Sequence, residues 1–239
     1  MKKLYIVGVG SGNFEDLTIK ANKVLMESEC IYCDELLYQK LYLYFKDKLL
    51  PNSYNATNER CNNAILKALK NNVVSILGSG DTGIYGISNI ILDKLDKIDD
   101  TLELEIIPGI TSAISGAALL GSPLTKDFVV ISLSNNFGNK QDIEKKVRYA
   151  ALANFNIVFY SPCNPDISNL LLAKEILLSV KKEDPIIGIA NNIGCKEENI
   201  IVTNLSKLPY NRIHSFSTIF VGNSQMKLTK NRKMNSPLY

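Results

Sequence analysis

Histidine is nearly missing from this chain: His214 is the only one in 239 residues. Cys30-Ile31-Tyr32-Cys33 has the spacing of half a zinc site, but no second cysteine pair and no second imidazole completes it. No structural metal is therefore expected, and the two thiols are expected to share one face of a strand and pack there. The five cysteines are scattered and odd in number, which argues for free thiols rather than a disulfide framework. Long hydrophobic runs are also lacking. Ile87–Leu92 and Val129–Leu133 are far too short to span a bilayer, and the apolar start Leu4-Tyr5-Ile6-Val7 is broken at Gly8, too early for a signal peptide. The expectation is a cytoplasmic protein without a membrane partner. A large charge of one sign is absent too. The formal net charge of +3 is too small to imply nucleic-acid binding. Its excess gathers at Lys227, Lys230, Arg232 and Lys233, which read as a solvated hairpin. No internal repeat or low-complexity segment interrupts the chain.

What is present is the balance of a soluble globular protein, 46% hydrophobic and 21% charged, with length for one large or two modest domains. The organising stretch is Val73-Val74-Ser75-Ile76-Leu77, a buried strand, followed by Gly78-Ser79-Gly80-Asp81-Thr82-Gly83-Ile84-Tyr85-Gly86. After it, Ile87, Ile90, Ile91 and Leu95 fall at helical spacing. Four glycines in nine residues let a backbone approach a ligand closely. Asp81 stands at the carboxyl end of the strand, where open α/β sheets bind ligands. The plainer reading is a tight turn with Asp81 capping the helix.

Other turns repeat this design. The strand Leu4–Val9 runs into Gly10-Ser11-Gly12-Asn13 and a helix carrying Leu17, Ala21, Val24 and Leu25. A strand at Cys30–Cys33 ends in Asp34 and Glu35. A helix over Leu36–Phe45 is closed off by Pro51, and another covers Asn58–Lys70. Leu104-Glu105-Ile106-Ile107 ends at Pro108-Gly109-Ile110-Thr111-Ser112, which opens a helix of small residues suited to close packing. Turn residues cluster at Gly121-Ser122-Pro123-Leu124-Thr125, so domains of 1–121 and 122–239 are expected. Downstream strands are read at Phe128–Leu133, Ile157–Tyr160, Ile186–Ala190, Ile200–Thr203 and Thr218–Val221, with helices at Gln141–Ala151 and Ile167–Leu178. The close-set late strands suggest an antiparallel portion. The fold class is α/β, as two α/β domains.

Two chemistries compete for these turns. Gly8-x-Gly10-x-Gly12, with Asp34 after the second strand, suggests a nicotinamide enzyme. That fingerprint needs glycine at position 13, where Asn13 stands, and Glu15 and Asp16 in the first helical turn would repel a pyrophosphate. The alternative ligand is a cationic or zwitterionic nucleoside, which needs close backbone, a carboxylate and hydroxyl or amide donors. Gly78–Gly86 and Pro108–Ser112 supply these without a lysine or arginine. S-adenosylmethionine meets that description, and methyl transfer asks for in-line positioning in a dry site rather than paired acids.

Five motifs carry a resemblance: Val7-Gly8-Val9-Gly10-Ser11-Gly12, Ser79–Gly86, Ile107-Pro108-Gly109-Ile110-Thr111-Ser112-Ala113, Val130-Ile131-Ser132-Leu133-Ser134 and Ile219-Phe220-Val221-Gly222-Asn223-Ser224-Gln225. In this order they resemble the tetrapyrrole (corrin/porphyrin) methylases, and most nearly the branch acting on C17 of precorrin-3B or cobalt-factor III. The resemblance implies two α/β domains with the active site in the trough between them. It also implies S-adenosyl-L-methionine as cofactor, a tetrapyrrole substrate that in part of the family bears cobalt, methylation with ring contraction in cobalamin biosynthesis, and a homodimer. Cofactor contacts are implied at Ser11, Ser79, Gly80, Asp81, Ile84, Thr111 and Ser112, and further along at Ser161 and Gly194. No catalytic residue is assigned.

For the substrate's carboxylate arms the candidates are Arg60, in an acid–arginine pair with Glu59, and Lys126 at the domain boundary, with Arg148 as a helix-surface alternative. The chain departs from the family pattern at Ser11 and Thr82, where proline is usual. It departs again at Ser161-Pro162-Cys163-Asn164-Pro165, which lacks the usual basic residues, and at Ser236-Pro237-Leu238-Tyr239. Because those last losses fall on substrate-side positions, two alternatives stay open: a methyltransferase for another precorrin position, and a non-catalytic tetrapyrrole- or cofactor-binding relative.

Overall fold

The computed structural model describes residues 2–53, 56–98, 101–164 and 166–237. Pro165 and the terminal Leu238-Tyr239, singled out in the sequence, lie outside the described residues. The chain divides into two compact units, Met1–Thr111 and Ser112–Tyr239.

The first unit alternates strand and helix: β1 Lys3–Gly8, α1 Ile19–Glu27, β2 Cys30–Asp34, α2 Glu35–Phe45, β3 Leu49–Asn52, α3 Thr57–Leu69, β4 Val73–Gly78, α4 Ser88–Leu95 and β5 Glu103–Ile107. All its strand pairs are parallel, in the order β3-β2-β4-β1-β5. Alternate side chains go to opposite faces. Leu4, Ile6, Val74 and Ile76 pack with Ile65 of α3 and Ile91 of α4, whereas Tyr5, Val7, Ile31 and Leu77 pack with Leu25 of α1 and Leu41 of α2. Burial on both faces is why these strands read as continuous apolar runs.

The same alternation corrects the expectation for the thiols. Three residues apart in β2, Cys30 enters one core and Cys33 the other, so they lie on opposite faces of the sheet. A second correction concerns Pro51, which sits inside β3 rather than closing a helix. β3 is an edge strand, the position in a sheet where a residue without an N–H is tolerated.

The second unit runs α5 Ser112–Leu120, β6 Gly121–Ser122, β7 Phe128–Ser132, α6 Lys140–Leu152, β8 Asn156–Tyr160, α7 Ser168–Val180, β9 Ile186–Asn191, β10 Asn199–Asn204, β11 Ser217–Val221, β12 Lys227–Leu228 and β13 Met234–Asn235. Its main sheet has the order β10-β9-β11-β8-β7. β7 and β8 are parallel, while β11 is antiparallel to both β8 and β9, and β10 to β9. The late antiparallel portion expected from the sequence is therefore present. α6 and α7 cover one face. α5 lies on the other, its Gly116 so close that a Cβ there would stand 2.9 Å from the Phe220 ring. This packing places α5 with the second sheet, so the division falls at Thr111/Ser112 and not at residue 121. β12 and β13 form the exposed basic hairpin, joined to β6 through β13.

Candidate active site

Three motifs far apart in sequence leave adjacent strands at one edge. The sheet order sets β4, β1 and β5 side by side and parallel, so the turns after Gly78, Gly8 and Ile107 emerge together. Chain direction reverses there: β1 leads across to β2 on one side, and β4 leads over β1 to β5 on the other. This is the switch point at which open α/β sheets bind ligands. The turns are joined backbone to backbone. Gly10 N–H donates to Gly80 O at 3.1 Å and Gly80 N–H to Gly10 O at 2.7 Å, and Val9 N–H reaches Gly78 O at 3.0 Å. Gly80 holds φ +65° to make this bridge, a conformation that favours glycine. Gly109 lies against both partners: a Cβ there would be 2.1 Å from Gly80 O and 2.5 Å from Gly8 C.

Asp81 completes the joint. Its Oδ1 accepts the Gly83 N–H at 2.8 Å and its Oδ2 the Gly109 N–H at 3.0 Å. One carboxylate thus closes its own turn and ties it to the turn after β5. It does not cap a helix, because α4 begins only at Ser88 and has no side-chain cap. Around this joint Ser79 is exposed, Ile84 is 40% and Ile110 37% exposed, and Thr82 is buried. The Thr82 hydroxyl has no hydrogen-bond partner among the described residues.

The first turn is held from the side. The Ser11 hydroxyl donates to the Asp16 carboxylate, and the Lys40 ammonium donates to the Ser11 carbonyl. Glu15 and Asp16 do not open a helix as expected. They lie in a 3-10 turn, and α1 starts later behind Thr18, whose hydroxyl accepts the Ala21 N–H.

In the second unit, Ser112 starts α5, and the next residue's N–H (Ala113) donates to the Tyr160 hydroxyl at 2.8 Å. That bond ties the helix start to the end of β8, where Ser161 follows with φ +51°. β8 and β9 point the same way, since β11 between them is antiparallel to both. Gly194, at φ +71° in the turn after β9, is therefore at the same edge as Ser161, and its N–H donates to Glu198 Oε2 at 2.7 Å. Beside it, buried Asn191 accepts from the Ser217 hydroxyl and donates to Arg212 O at 3.2 Å.

The basic candidates are placed differently from expectation. Lys126 precedes β7, at the edge of the second sheet opposite to Ser161. There it donates to Gln225 Oε1 and lines a cavity of 560 Å³ with Phe128 and Phe155. Arg60 is only 3% exposed. The amphipathic α3 turns it inward, where it donates to Ser53 O at 3.2 Å and Thr57 Oγ1 at 3.4 Å, and its Nε has no partner among the described residues. Arg148 is paired with Glu144 at 3.0 Å on the exposed face of α6. Asp16, Lys40 and Tyr160, which hold these turns, are not among the site candidates of the sequence. Asp16 stood in plain view five residues after Ser11, but nothing local announces Lys40, which meets Ser11 across 29 residues.

Burial pushes the Cys33 thiol up to about 12 and raises Cys30 and Cys61. Among the described residues no group of three histidine, cysteine or acidic side chains is set to hold a metal, and no helix is long and apolar enough to cross a membrane.

The family model for Tetrapyrrole (Corrin/Porphyrin) Methylases matches residues 3–209, so the chain belongs to that family. A protein of Methanocaldococcus jannaschii, described as a probable cobalt-factor III C(17)-methyltransferase, is 32% identical over 98% of this chain and 96% of its own length. The cobalt-factor III methyltransferase of Priestia megaterium is 33% identical over 93% of this chain, which spans 42% of that longer relative. Among solved structures, the methyltransferase CobJ matches with a TM-score of 0.89, at 24% identity over 98% of this chain and 99% of its own. A uroporphyrin-III C-methyltransferase of Thermus thermophilus, complexed with S-adenosylhomocysteine, matches with a TM-score of 0.70, at 18% identity over 92% and 97% of the two chains. The last two likenesses bear on the fold alone.

Proposed function

We propose that this protein is an S-adenosylmethionine-dependent methyltransferase of cobalamin biosynthesis. Its substrate is precorrin-3B or the cobalt-bearing factor III, methylated at C17 with contraction of the ring, and the enzyme works in the cytoplasm as a homodimer. The observation that carries this reading is the 32% identity over 98% of this chain to a relative described as a probable C17-methyltransferase, together with the three turns joined through Gly10, Gly80 and Gly109.

The residues present fit the cofactor. The backbone joint leaves Ser79 and the apolar Ile84 and Ile110 facing outward beside the Asp81 carboxylate. That surface suits a nucleoside with a flat ring, a diol and a cationic arm. When bound, S-adenosylmethionine would supply an electrophilic methyl for transfer to carbon. The chain's part is to orient. Asp81 holds two turns in register, Tyr160 holds the start of α5, and Ser79 offers a hydroxyl. No base is needed at the sulfur, in keeping with turns that carry one acid and no cation.

The test is incubation with labelled S-adenosylmethionine and cobalt-factor III, followed by mass analysis of the tetrapyrrole. A gain of one methyl located at C17 is expected. Binding of both ligands with no transfer would overturn the enzymatic reading, and a methyl at another carbon would move the protein to a different precorrin position.

A further inference from the structure

We propose that Asp16 and Lys40 are positioning residues of the cofactor site, holding the first turn through Ser11; this rests on the cofactor reading above. Ser11 is the hub. Its hydroxyl donates to Asp16 and accepts the Asn13 N–H at 3.2 Å, and its carbonyl accepts from Lys40. Every polar group of that residue named here is thus held by a different neighbour.

The clamp is anchored on one helix. Leu37, Lys40 and Tyr44 recur at three- and four-residue spacing, so they share a face of α2. Lys40 Cδ and Leu37 Cδ2 stand 2.8 and 3.0 Å from where a Cβ on Gly12 would be, so their stems fill the space above that glycine. Phe14, in the same 3-10 turn as Asp16, stacks on Tyr44 with ring centroids 4.1 Å apart. Leu37 is itself in the core. α2 therefore fixes both arms of the clamp, directly through Lys40 and through Phe14 for Asp16.

The consequence passes to the cofactor turn. Gly10, adjacent to Ser11, is half of the two-bond bridge with Gly80. Loosening Ser11 frees Gly10, and with it the register of Ser79-Gly80-Asp81. A proline ring would restrict the same backbone covalently by fixing φ; here hydrogen bonds to charged groups do so, and these are among the stronger ones.

Asp16→Asn and Lys40→Met, the latter keeping the stem over Gly12, are each expected to weaken S-adenosylhomocysteine binding about tenfold in calorimetry. KM for S-adenosylmethionine should rise with kcat little changed. Amide exchange of Gly10, Gly12 and Asn13 should quicken in the ligand-free variants. Ser11→Pro placed in the Asp16→Asn background should restore affinity to within about threefold of wild type. That rescue is beyond a residue that merely stabilises the fold. Unchanged exchange in both variants would overturn the clamp whatever the protein binds. Quickened exchange with unchanged affinity, or failure of Ser11→Pro to rescue, would overturn its positioning role. Wild type that binds no S-adenosylhomocysteine would overturn the cofactor reading and this proposal's link to it, while exchange still decides the clamp.

Discussion

In the first unit, strand ends meet backbone to backbone: Gly10 and Gly80 exchange two hydrogen bonds, and Gly109 lies against Gly8 and Gly80 with no room for a side chain. In the second, side chains make the equivalent ties. Tyr160 reaches Ala113 N–H, Asn169 donates to Leu133 O at 2.7 Å, and Asn191 joins Ser217 to Arg212. A backbone joint admits almost no variation in sequence, because any added atom meets a carbonyl. A side-chain joint is modular, so its bonds can be lost singly.

That contrast is broken most severely at Gly109. A Cβ 2.1 Å from Gly80 O cannot be accommodated without moving a strand end, so Gly109→Ala is expected to destabilise the protein by about 3 kcal/mol and abolish S-adenosylhomocysteine binding. Thermal unfolding and calorimetry on the same sample check both. Asp81→Asn comes next. The amide would keep one acceptor but aim an NH2 at the other backbone N–H, at a loss of roughly 1.5–3 kcal/mol. Stability and affinity should fall together, and a fall in affinity alone would mean that the carboxylate's only work is on the ligand. Tyr160→Phe tests the side-chain joint. The neutral bond from Ala113 N–H, worth about 1 kcal/mol, is removed, so a small drop in melting temperature with binding retained is expected.

The smallest effect is chemical rather than energetic. Cys30, Cys33 and Cys61 of the first unit are buried, while Cys163 and Cys195 of the second are partly exposed. Burial raises the Cys33 thiol to about 12, leaving almost no thiolate at neutral pH to react. Mass spectrometry after native alkylation should find label on Cys163 and Cys195 only. Label on Cys33 would show that the first core opens more readily than its joint implies.

The same contrast explains what could be read before the structure was known. The first unit's turns were legible because a backbone joint writes itself as glycine, and strands buried on both faces write themselves as apolar runs. Asp81 was visible as a special acid, but its bond to Gly109, 28 residues away, was not. The burial of Arg60 was not legible, because a charged residue reads as surface until the apolar face of α3 is wound and found to contain it. Lys126 was singled out by its place in sequence near a boundary, which says nothing of strand direction; that direction puts it at the end of the second sheet opposite to Ser161. β3 was missed because proline ordinarily argues against a strand, and only sheet order reveals an edge. Asn223 has a structural duty, its side-chain oxygen accepting the Gln225 N–H at 3.0 Å while its backbone N–H donates to buried Asn156 at 3.0 Å.

The left-handed residues carry a consequence for how this protein can change. Gly10, Gly12 and Gly80 take positive φ in the first unit's turns, but Ser161 and Asn192 take it at the ends of β8 and β9. An L side chain there is held in a region it seldom occupies, at roughly 1 kcal/mol or more. The first unit places glycine at some of these positions but leaves Tyr85 at φ +53° in its central turn and Asn71 at φ +65° before β4. Both units therefore hold stability in reserve: glycine at Ser161 would relieve strain at the edge that carries the candidate contacts, and directed evolution for heat tolerance has an opening at that position.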